Sequence, residues 1–406
     1  MVYNKKMPRN YRNSTGVIVT GSTAANSLGL IRGFGRRGIP VVYLDSERHS
    51  MERYSRYISR RLKCPSLRES ETEFINVLLD FGKHIDSKMV IIPTGDREVL
   101  ALSKYRKELE QFYLLPIPSH EIAQKLVNKK SFYKLLAEMQ VPHPKTYFPE
   151  NITELRLMGR EIDYPYIIKP AYSLPFQEEF HRKCFLIKSS PELDWAVERL
   201  EGKNLEVIIQ EIVPGKGAYA FFTYFNRKSE PLATCGWDKI RHYPPDFGSG
   251  SFCRSSWWPS AVEQGLSLLK AIGYSGLAAP ELKKDPRDGQ YKIIEVNART
   301  ILQNRLAAAC GLDIAYLAYL DAIGQPVNNS LPHRNNVFWV DEFADPVSCL
   351  IHLKRKEIGI GEIVKSLKAR KVYSVAAWDD PTPLIVHAFY QSLAALRLVF
   401  RNLSGG

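Results

Sequence analysis

An apolar strand, a short glycine-containing turn, a helix and a second apolar strand follow one another near the start of the chain. Residues 16–20 read GVIVT and residues 39–45 read IPVVYLD, and both runs are typical of strands buried in a parallel sheet. Between them, residues 26–35 place apolar side chains at helical spacing. This order is one βαβ unit, and it predicts a doubly wound α/β sheet. Because the turn has no GxGxxG fingerprint, a dinucleotide is not indicated.

Two loops follow strands of this predicted sheet. Residues 20–23 follow the first strand, and residues 94–96 follow a later apolar run, MVIIPT, at residues 89–94. Ligands of doubly wound sheets lie beyond the carboxyl ends of the strands. We therefore expect both loops at the mouth of a ligand site.

From about residue 118 the pattern becomes α+β, without internal repeats. Candidate helices cover residues 119–126, 130–139, 191–200 and 262–272. Candidate strands cover residues 166–169, 206–212, 219–225, 277–283 and 291–297. The last section, from about residue 331, combines a strand-like VFWVDEF segment with basic helices.

The net charge of +13 lies at the two ends of the chain. Residues 1–65 hold thirteen basic and three acidic side chains, and residues 351–406 hold nine and four, so the middle is near neutral. The basic N-terminal arm lacks interleaved aromatic residues, so no nucleic-acid partner is expected. Arg53, Arg56, Arg60 and Arg61 recur at near-helical spacing, which predicts a solvated face.

The remaining composition is that of an ordinary globular protein, with 45% apolar and 24% charged residues in 406. Its six cysteines form no CxxC pair and no Cys/His cluster with zinc spacing, which predicts reduced, buried thiols in a cytoplasmic protein. No signal peptide or apolar run of spanning length is visible. The amphipathic residues 383–401 are interpreted as a docked helix, with weak association at a membrane surface as the alternative.

The stretch ELKKDPRDGQYKIIEVNAR at residues 281–299 carries the clearest chemistry. A hairpin closed by the turn residues 285–289 would set Glu281 opposite Glu295, and Asn297 would share a face with Glu295. Two facing carboxylates repel each other, and a divalent cation such as Mg²⁺ removes that cost. An incidental acid pair on a solvated hairpin is the alternative at this point.

Two lysines and one strand end complete the pattern. Lys169 closes the apolar strand YPYIIKP, and Lys129 stands just before a helix. Residues 210–215, QEIVPG, are a strand leaving into a turn, where backbone groups can meet an adenine edge. Taken singly, each lysine could be an ordinary surface lysine, and residues 210–215 could be an ordinary strand end. Together with the carboxylate hairpin, these residues suggest a triphosphate bound between the lysines and a metal ion.

In this order the motifs resemble those of the ATP-grasp superfamily, and within it the carboxylate–amine ligase branch. The resemblance covers about residues 16–325 and is strongest in NKKSFYKLLAEMQVPHP, IIKP, QEIVPG and the carboxylate hairpin. It implies α/β plus α+β architecture. The expected parts are a Rossmann-like pre-ATP-grasp domain (1–117), the N-terminal ATP-grasp lobe (118–190), the C-terminal lobe with the metal hairpin (191–330) and a small C-terminal region (331–406).

The resemblance also implies a role for individual residues. ATP would be bound by Lys129, Lys169, Lys183, Gln210, Glu211, Ile212 and Val213. One or two Mg²⁺ ions, with Mn²⁺ as the alternative, would be held by Glu281, Glu295 and Asn297. Lys239 and Arg241 would meet the γ-phosphate or the carboxylate substrate. Arg299 would stabilise the transferred phosphate or the tetrahedral intermediate.

The implied reaction is ATP-dependent amide formation. Phosphorylation of a carboxylate gives an acyl phosphate, an amine displaces the phosphate, and metal, Lys and Arg stabilise the charges. The implied partners are therefore a small-molecule carboxylate and an amine. The oligomeric state is left open, with a homodimer as the general prior. A catalytically silent ATP-binding module and a protein that anchors to surfaces by its basic ends are the alternatives.

Two segments bear on water exclusion and substrate choice. Residues 171–183 lack the glycines of many members, so they are expected either as a mobile loop carrying cations or as a surface connection. Ribose recognition is unassigned because the expected acidic position falls near Ala218 and Tyr219. Residues 242–254 are expected as a substrate-selecting loop, together with 20–23 and 94–96.

Overall fold

The computed structural model describes residues 15–21, 24–46, 50–215, 217–327 and 333–403. Within these residues the chain forms three β-sheets of five, four and seven strands, flanked by helices. The architecture is the expected combination of an α/β part and an α+β part.

The first sheet is wholly parallel. Its strands are β1 (Val17–Thr20), β2 (Val41–Asp45), β3 (Arg60–Lys63), β4 (Met89–Ile92) and β5 (Tyr113–Leu114). The accompanying helices are α1 (Ala24–Gly35), α2 (Glu71–Gly82), α3 (Asp96–Lys104) and α4 (Arg106–Leu109). The strand order β3–β2–β1–β4–β5 confirms the predicted βαβ unit β1–α1–β2. Thr20 and Thr94 meet at its carboxyl edge, where their hydroxyl oxygens are 3.1 Å apart; residues 22–23 of the predicted loop lie outside the described residues.

The second sheet is antiparallel and follows two helices. Its strands are β6 (Thr146–Tyr147), β7 (Tyr166–Pro170), β8 (Phe185–Ile187) and β9 (Val207–Glu211). The helices of this part are α5 (His120–Val127), α6 (Lys129–Glu138), α7 (Ile152–Glu161), α8 (Ser173–Phe180) and α9 (Ser190–Leu200). Since β9 returns to pair with β7, this sheet extends to Glu211, past the predicted lobe boundary at residue 190.

The third sheet is the largest and has the order β14–β13–β10–β11–β12–β15–β16 once its strands are numbered along the chain. These strands are β10 (Ala218–Phe225), β11 (Pro231–Tyr243), β12 (Ser249–Ser255), β13 (Gly276–Lys284), β14 (Tyr291–Asn297), β15 (Phe338–Val340) and β16 (Lys371–Tyr373). The remaining helices are α10 (Pro259–Ala271), α11 (Asn304–Ala309), α12 (Ile314–Ala322), α13 (Ala344–Lys354), α14 (Ile360–Lys368) and α15 (Thr382–Leu403).

The third sheet is buried on both faces, which explains the apolar run AYAFFTYF in β10. Successive side chains of a strand point to opposite faces. Phe222 belongs to a core shared with Ile31 of α1, whereas Phe221 packs in a core with Val262 of α10. The first domain therefore lies against one face of the sheet that carries the predicted metal hairpin.

The C-terminal region folds back onto the rest of the molecule. β15 and β16 extend the third sheet, and the buried guanidinium of Arg32 donates to Asp380 at 2.9 Å. Asp380 also accepts hydrogen bonds from the Ser55 hydroxyl and the Arg56 backbone N–H.

Helix α15 docks by its first turns, where Leu384 and Val386 contact a small core around Leu28 and Met51. This contact favours the docked interpretation of residues 383–401. No helix in the described part of the chain has the length and apolar character needed to cross a bilayer. The N-terminal arm, residues 1–14, lies outside the described residues.

Three local predictions are corrected by the structure. Residues 171–183 contain helix α8, because Phe176 is buried among aromatic side chains, so the segment is not a loop throughout. Residues 242–254 are mostly strand, since β11 runs to Tyr243 and β12 begins at Ser249. The near-helical spacing in residues 53–61 is also misleading: Arg60 and Arg61 lie in β3, an edge strand, where charged residues are common.

Candidate active site

The predicted carboxylate hairpin is formed by β13 and β14. Glu281 is directly opposite Glu295 in the antiparallel register, and Asn297 lies two residues further along β14. The Asn297 amide nitrogen donates to Glu295 at 3.3 Å. The hairpin turn is fixed by Asp285, which is fully buried and accepts from the backbone N–H of Arg287 at 3.0 Å. Three oxygen-bearing side chains therefore converge beside one hairpin, as the spacing predicted.

Lys239 faces this hairpin from β11. Its ammonium is buried and forms an ion pair with Glu281. Burial by itself lowers the pKa of Lys239. The charge of Glu281 and the hydrogen bond to it together outweigh burial, so the pKa of Lys239 is raised. The lysine remains charged and offsets the repulsion between the two glutamates.

Lys129 and Lys169 approach from the N-terminal lobe. Lys129 begins α6, and its Nζ donates to the Ser173 hydroxyl at 2.8 Å. Lys169 lies in β7, and its Nζ donates to Gln210 Oε1 at 2.9 Å. Burial lowers the pKa of both lysines, and the negative charge of Glu295 partly opposes that effect. Both ammonium groups would gain stability from further negative charge in this cleft.

Glu295 is the electrostatic centre of the site. Loss of hydration by itself would raise its pKa, but Lys129, Lys239, Lys183 and Lys169 together lower the pKa to about 2. The carboxylate is therefore ionised at neutral pH. These four lysines exceed the two hairpin glutamates in charge, which favours binding of a polyanion.

Arg299 connects the hairpin to the first domain. Its Nε donates to Asp96 at the start of α3 at 2.7 Å, and another guanidinium nitrogen donates to Asn297 Oδ1 at 3.0 Å. Asp96 belongs to the loop predicted at a ligand mouth, so the structure brings residues 94–96 to the carboxylate cluster. Burial by itself lowers the pKa of Arg299, but the charge of Asp96 and the hydrogen bond to it have the larger effect, so the pKa is raised.

Gln210 and Glu211 occupy the end of β9, which pairs with the strand that carries Lys169. The buried Gln210 side chain links Lys169 to the Thr146 hydroxyl, to which its Nε2 donates at 2.9 Å. The Glu211 carboxylate accepts from the Lys145 backbone N–H at 2.9 Å and from Arg287 at 2.9 Å. Its carboxylate thus fixes the strand end.

The next two residues, Ile212 and Val213, follow β9 directly, and Val213 is buried. The adenine role of this segment stays a prediction.

Lys183 and Arg241 differ in how they relate to the cluster. Lys183 donates to Ser249 at 3.2 Å and is close enough to lower the pKa of Glu295. Arg241 instead forms a two-bond ion pair with Asp345 of α13, at 2.8 and 2.7 Å, and its guanidinium lies 4.3 Å from the Phe252 ring centroid. The structure does not bring Arg241 to the glutamates, because a bulge follows Lys239 in β11.

Sequence reasoning missed the polar side chains that join the first domain to the hairpin. The Asn26 amide of α1 donates to the carbonyl oxygens of Thr94 and Thr300, both at 3.0 Å. Asn304 donates to the Asn26 side chain at 2.9 Å. These asparagines are separated by 278 residues, and no local spacing could have paired them.

The sequence did not single out His242, because residues 242–254 were expected to form a loop. It lies on β11, and burial together with Lys239 and Lys183 lowers its pKa to about 3. The imidazole is therefore neutral at physiological pH and borders the cationic cleft.

Known proteins resemble this chain in sequence and in structure. No protein-family model matches it. The D-aspartate ligase of Enterococcus faecium (strain Aus0004) is 26% identical over 298 residues, which are 68% of this chain and 69% of that protein. A biotin carboxylase–beta-gamma-ATP complex from Campylobacter jejuni superposes with a TM-score of 0.62 at 15% identity, covering 79% of this chain and 74% of that one. An L-amino acid ligase from Bacillus licheniformis gives 0.61 at 15% identity, covering 79% and 78%.

The structural matches share the fold across four fifths of the chain. The match to the D-aspartate ligase adds sequence similarity over 68% of the chain. Together they confirm the resemblance to ATP-grasp carboxylate–amine ligases that the motifs predicted.

Proposed function

We propose that this ATP-grasp carboxylate–amine ligase joins a small carboxylate to an amine, at least one of them an amino acid, through an acyl phosphate, and releases ADP and phosphate. The observation that carries the proposal is the convergence of Glu281, Glu295 and Asn297 with Lys129, Lys169 and Lys239 in one cleft. The names of the D-aspartate ligase and the L-amino acid ligase support an amino acid as substrate.

The hairpin residues fit Mg²⁺ by the chemistry of their donors. Mg²⁺ takes hard oxygen ligands and usually shares them with substrate phosphates. Glu281 and Glu295 offer ionisable carboxylates in direct register, and the Asn297 amide oxygen accepts from Arg299, which orients it. When bound there, Mg²⁺ would neutralise charge on the β- and γ-phosphates of ATP.

The lysines bind and orient the triphosphate. Lys129 and Lys169 come from the N-terminal lobe, and Lys239 comes from the opposite sheet. Their positions on either side of the cleft suit contacts to successive phosphates, with Lys183 at its mouth. Such preorganised cations stabilise charge in the transition state without reorganising during the reaction.

The substrate carboxylate is proposed to lie between Arg299 and the carboxyl edge of the first sheet. There one of its oxygens attacks the γ-phosphorus, the bond from that phosphorus to the β-phosphate oxygen breaks, and ADP leaves. The amine then attacks the carbonyl carbon of the acyl phosphate and loses a proton to solvent, and phosphate departs with the former carboxylate oxygen. Arg299, held by Asp96 and Asn297, would stabilise the negative charge that develops in both steps.

A screen of paired acids and amines tests the proposal. Purified protein with Mg-ATP is offered D- and L-amino acids singly and in pairs, and ADP and phosphate are measured. We expect release only when an acid and an amine are both present, and a loss of about 100-fold or more in Glu295→Gln. The matched control is Glu121→Gln, an exposed glutamate on α5 paired with Lys125, which should keep full activity.

A different outcome would favour the silent nucleotide-binding module. That outcome is Mg-ATP binding with no product from any pair in a broad panel. ADP release without formation of any amide product would likewise contradict amide formation.

A further inference from the structure

Two cysteines and a histidine from distant parts of the chain meet behind the third sheet. Cys235 lies in β11, Cys310 caps the end of α11, and His333 precedes β15. One potential ligand atom from each residue lies within 4.8 Å of the other two. Both cysteines are fully buried.

The histidine ring is oriented as a metal ligand would be. Its Nε2 lies 3.2 Å from the Gly236 carbonyl oxygen, which can only accept, so Nε2 carries the hydrogen. In the neutral ring, Nδ1 then holds a bare lone pair. This Nδ1 is buried and accepts no hydrogen bond of good geometry among the residues that the structure describes, although the Asn335 side chain lies near the ring. Metal-binding histidines characteristically donate their other ring N–H to a carbonyl or carboxylate in this way.

A buried acceptor without a partner is costly, so its presence calls for an explanation. The two neighbouring thiols provide soft ligands, and the set of two sulfurs and one imidazole is typical of zinc. Acidic side chains do not belong to this group, so it is chemically different from the hard oxygen set of the hairpin. The two sites would therefore select different metals.

We propose that Cys235, Cys310 and His333 form a binding site for a thiolate-preferring divalent cation of the zinc class, separate from the ATP site. Binding converts both thiols to thiolates, releases their two protons to solvent and uses the lone pair of His333 Nδ1. A tetrahedral ion would take a water as its fourth ligand. The ion would fasten the end of α11 and the segment before β15 to β11, the strand that also carries Lys239.

Cobalt substitution tests this site independently of ligase activity. Protein stripped of metal is titrated with Co²⁺, and absorption is followed in the near-ultraviolet, where cobalt–thiolate charge transfer appears. We expect one tightly bound equivalent with charge transfer in the wild-type protein. Cys235→Ser, Cys310→Ser and His333→Asn should each weaken binding at least about tenfold. Cobalt held only by the hairpin carboxylates gives no thiolate band, so it cannot be mistaken for this site.

The matched control is Cys64→Ser, which alters a buried cysteine in the first domain. It should leave the cobalt spectrum unchanged. The proposal is overturned if the wild-type protein shows no charge transfer, or if Cys310→Ser shows the same spectrum as wild type. A loss of two hydrogens with Cys235 linked to Cys310 by mass spectrometry would also overturn it, because the pair would then be a disulfide.

A second measurement needs no variant and therefore does not depend on the folding of altered chains. Wild-type protein is alkylated with and without Zn²⁺, and each cysteine is followed by peptide mass. Zinc should slow modification of Cys235 and Cys310 and leave the rate at Cys64 unchanged. Equal rates with and without zinc at all three positions would contradict the site.

Discussion

Replacement of Glu295 by glutamine should destabilise the folded protein as well as lower its activity. Glu295 is surrounded by four lysines, and its pKa falls from 4.5 to about 2. Each tenfold change in proton affinity corresponds to about 1.4 kcal/mol. The ionised carboxylate therefore contributes about 3 kcal/mol to the free energy of unfolding at pH 7. The glutamine side chain would keep the shape of the glutamate but lose this charge and leave the lysines to repel one another.

The stabilising effect of Glu295 should depend on pH in a defined direction. Because the pKa in the folded protein lies below the unfolded value, the contribution of Glu295 is fully present above pH 4.5 and is lost as the pH falls towards about 2. Urea unfolding of wild type and Glu295→Gln at pH 7 should differ by about 3 kcal/mol. The difference should shrink as the pH is lowered below 4.5.

Glu121→Gln serves as the control and should show no measurable change. If Glu295→Gln is as stable as wild type at pH 7, or more stable, the four lysines do not surround this carboxylate as described. A difference that is constant from pH 7 into the acid range would equally refute the electrostatic cause.

Three further experiments test other parts of the structure. Asp380→Asn should lower the free energy of unfolding by about 3–5 kcal/mol in urea, because it leaves a buried guanidinium without its counterion; a change below about 1 kcal/mol would argue against the docked C-terminal region. Lys169→Met should weaken ATP binding at least about tenfold by calorimetry, whereas Lys125→Met, on an exposed helix face, should not. Arg241→Met and Asp345→Asn should each lower stability by about 3 kcal/mol while leaving the KM values for substrates unchanged; a selective rise in one KM would return Arg241 to the site.

The strands and their local pairing could be predicted because the information is local. The turn at residues 285–289 fixes which residues of the hairpin face each other, so the Glu281–Glu295 register follows from symmetry about the turn. The apolar strands β1 and β7 are likewise visible as runs bounded by glycine and proline. Lysine positions could be proposed because they border those strands.

Long-range contacts could not be predicted. Arg241 lies in the same strand as Lys239, but the bulge between them and its ion pair with the distant Asp345 could not be predicted from the sequence. The Asn26–Asn304 bond and the group Cys235, Cys310 and His333 join segments with no common spacing in the sequence. Helix α8 was missed because its apolar residues are few and the resemblance suggested a loop.

Oxygen transfer from the substrate carboxylate tests the central claim most directly. Once the screen has found an acid and amine pair, the acid is supplied with ¹⁸O in its carboxylate, and the released phosphate and the product are weighed by mass spectrometry. An acyl phosphate route moves one carboxylate oxygen into phosphate for each amide formed, because the phosphate leaves with that oxygen. Phosphate free of ¹⁸O, with ATP consumed and an amide formed, would contradict the proposed mechanism.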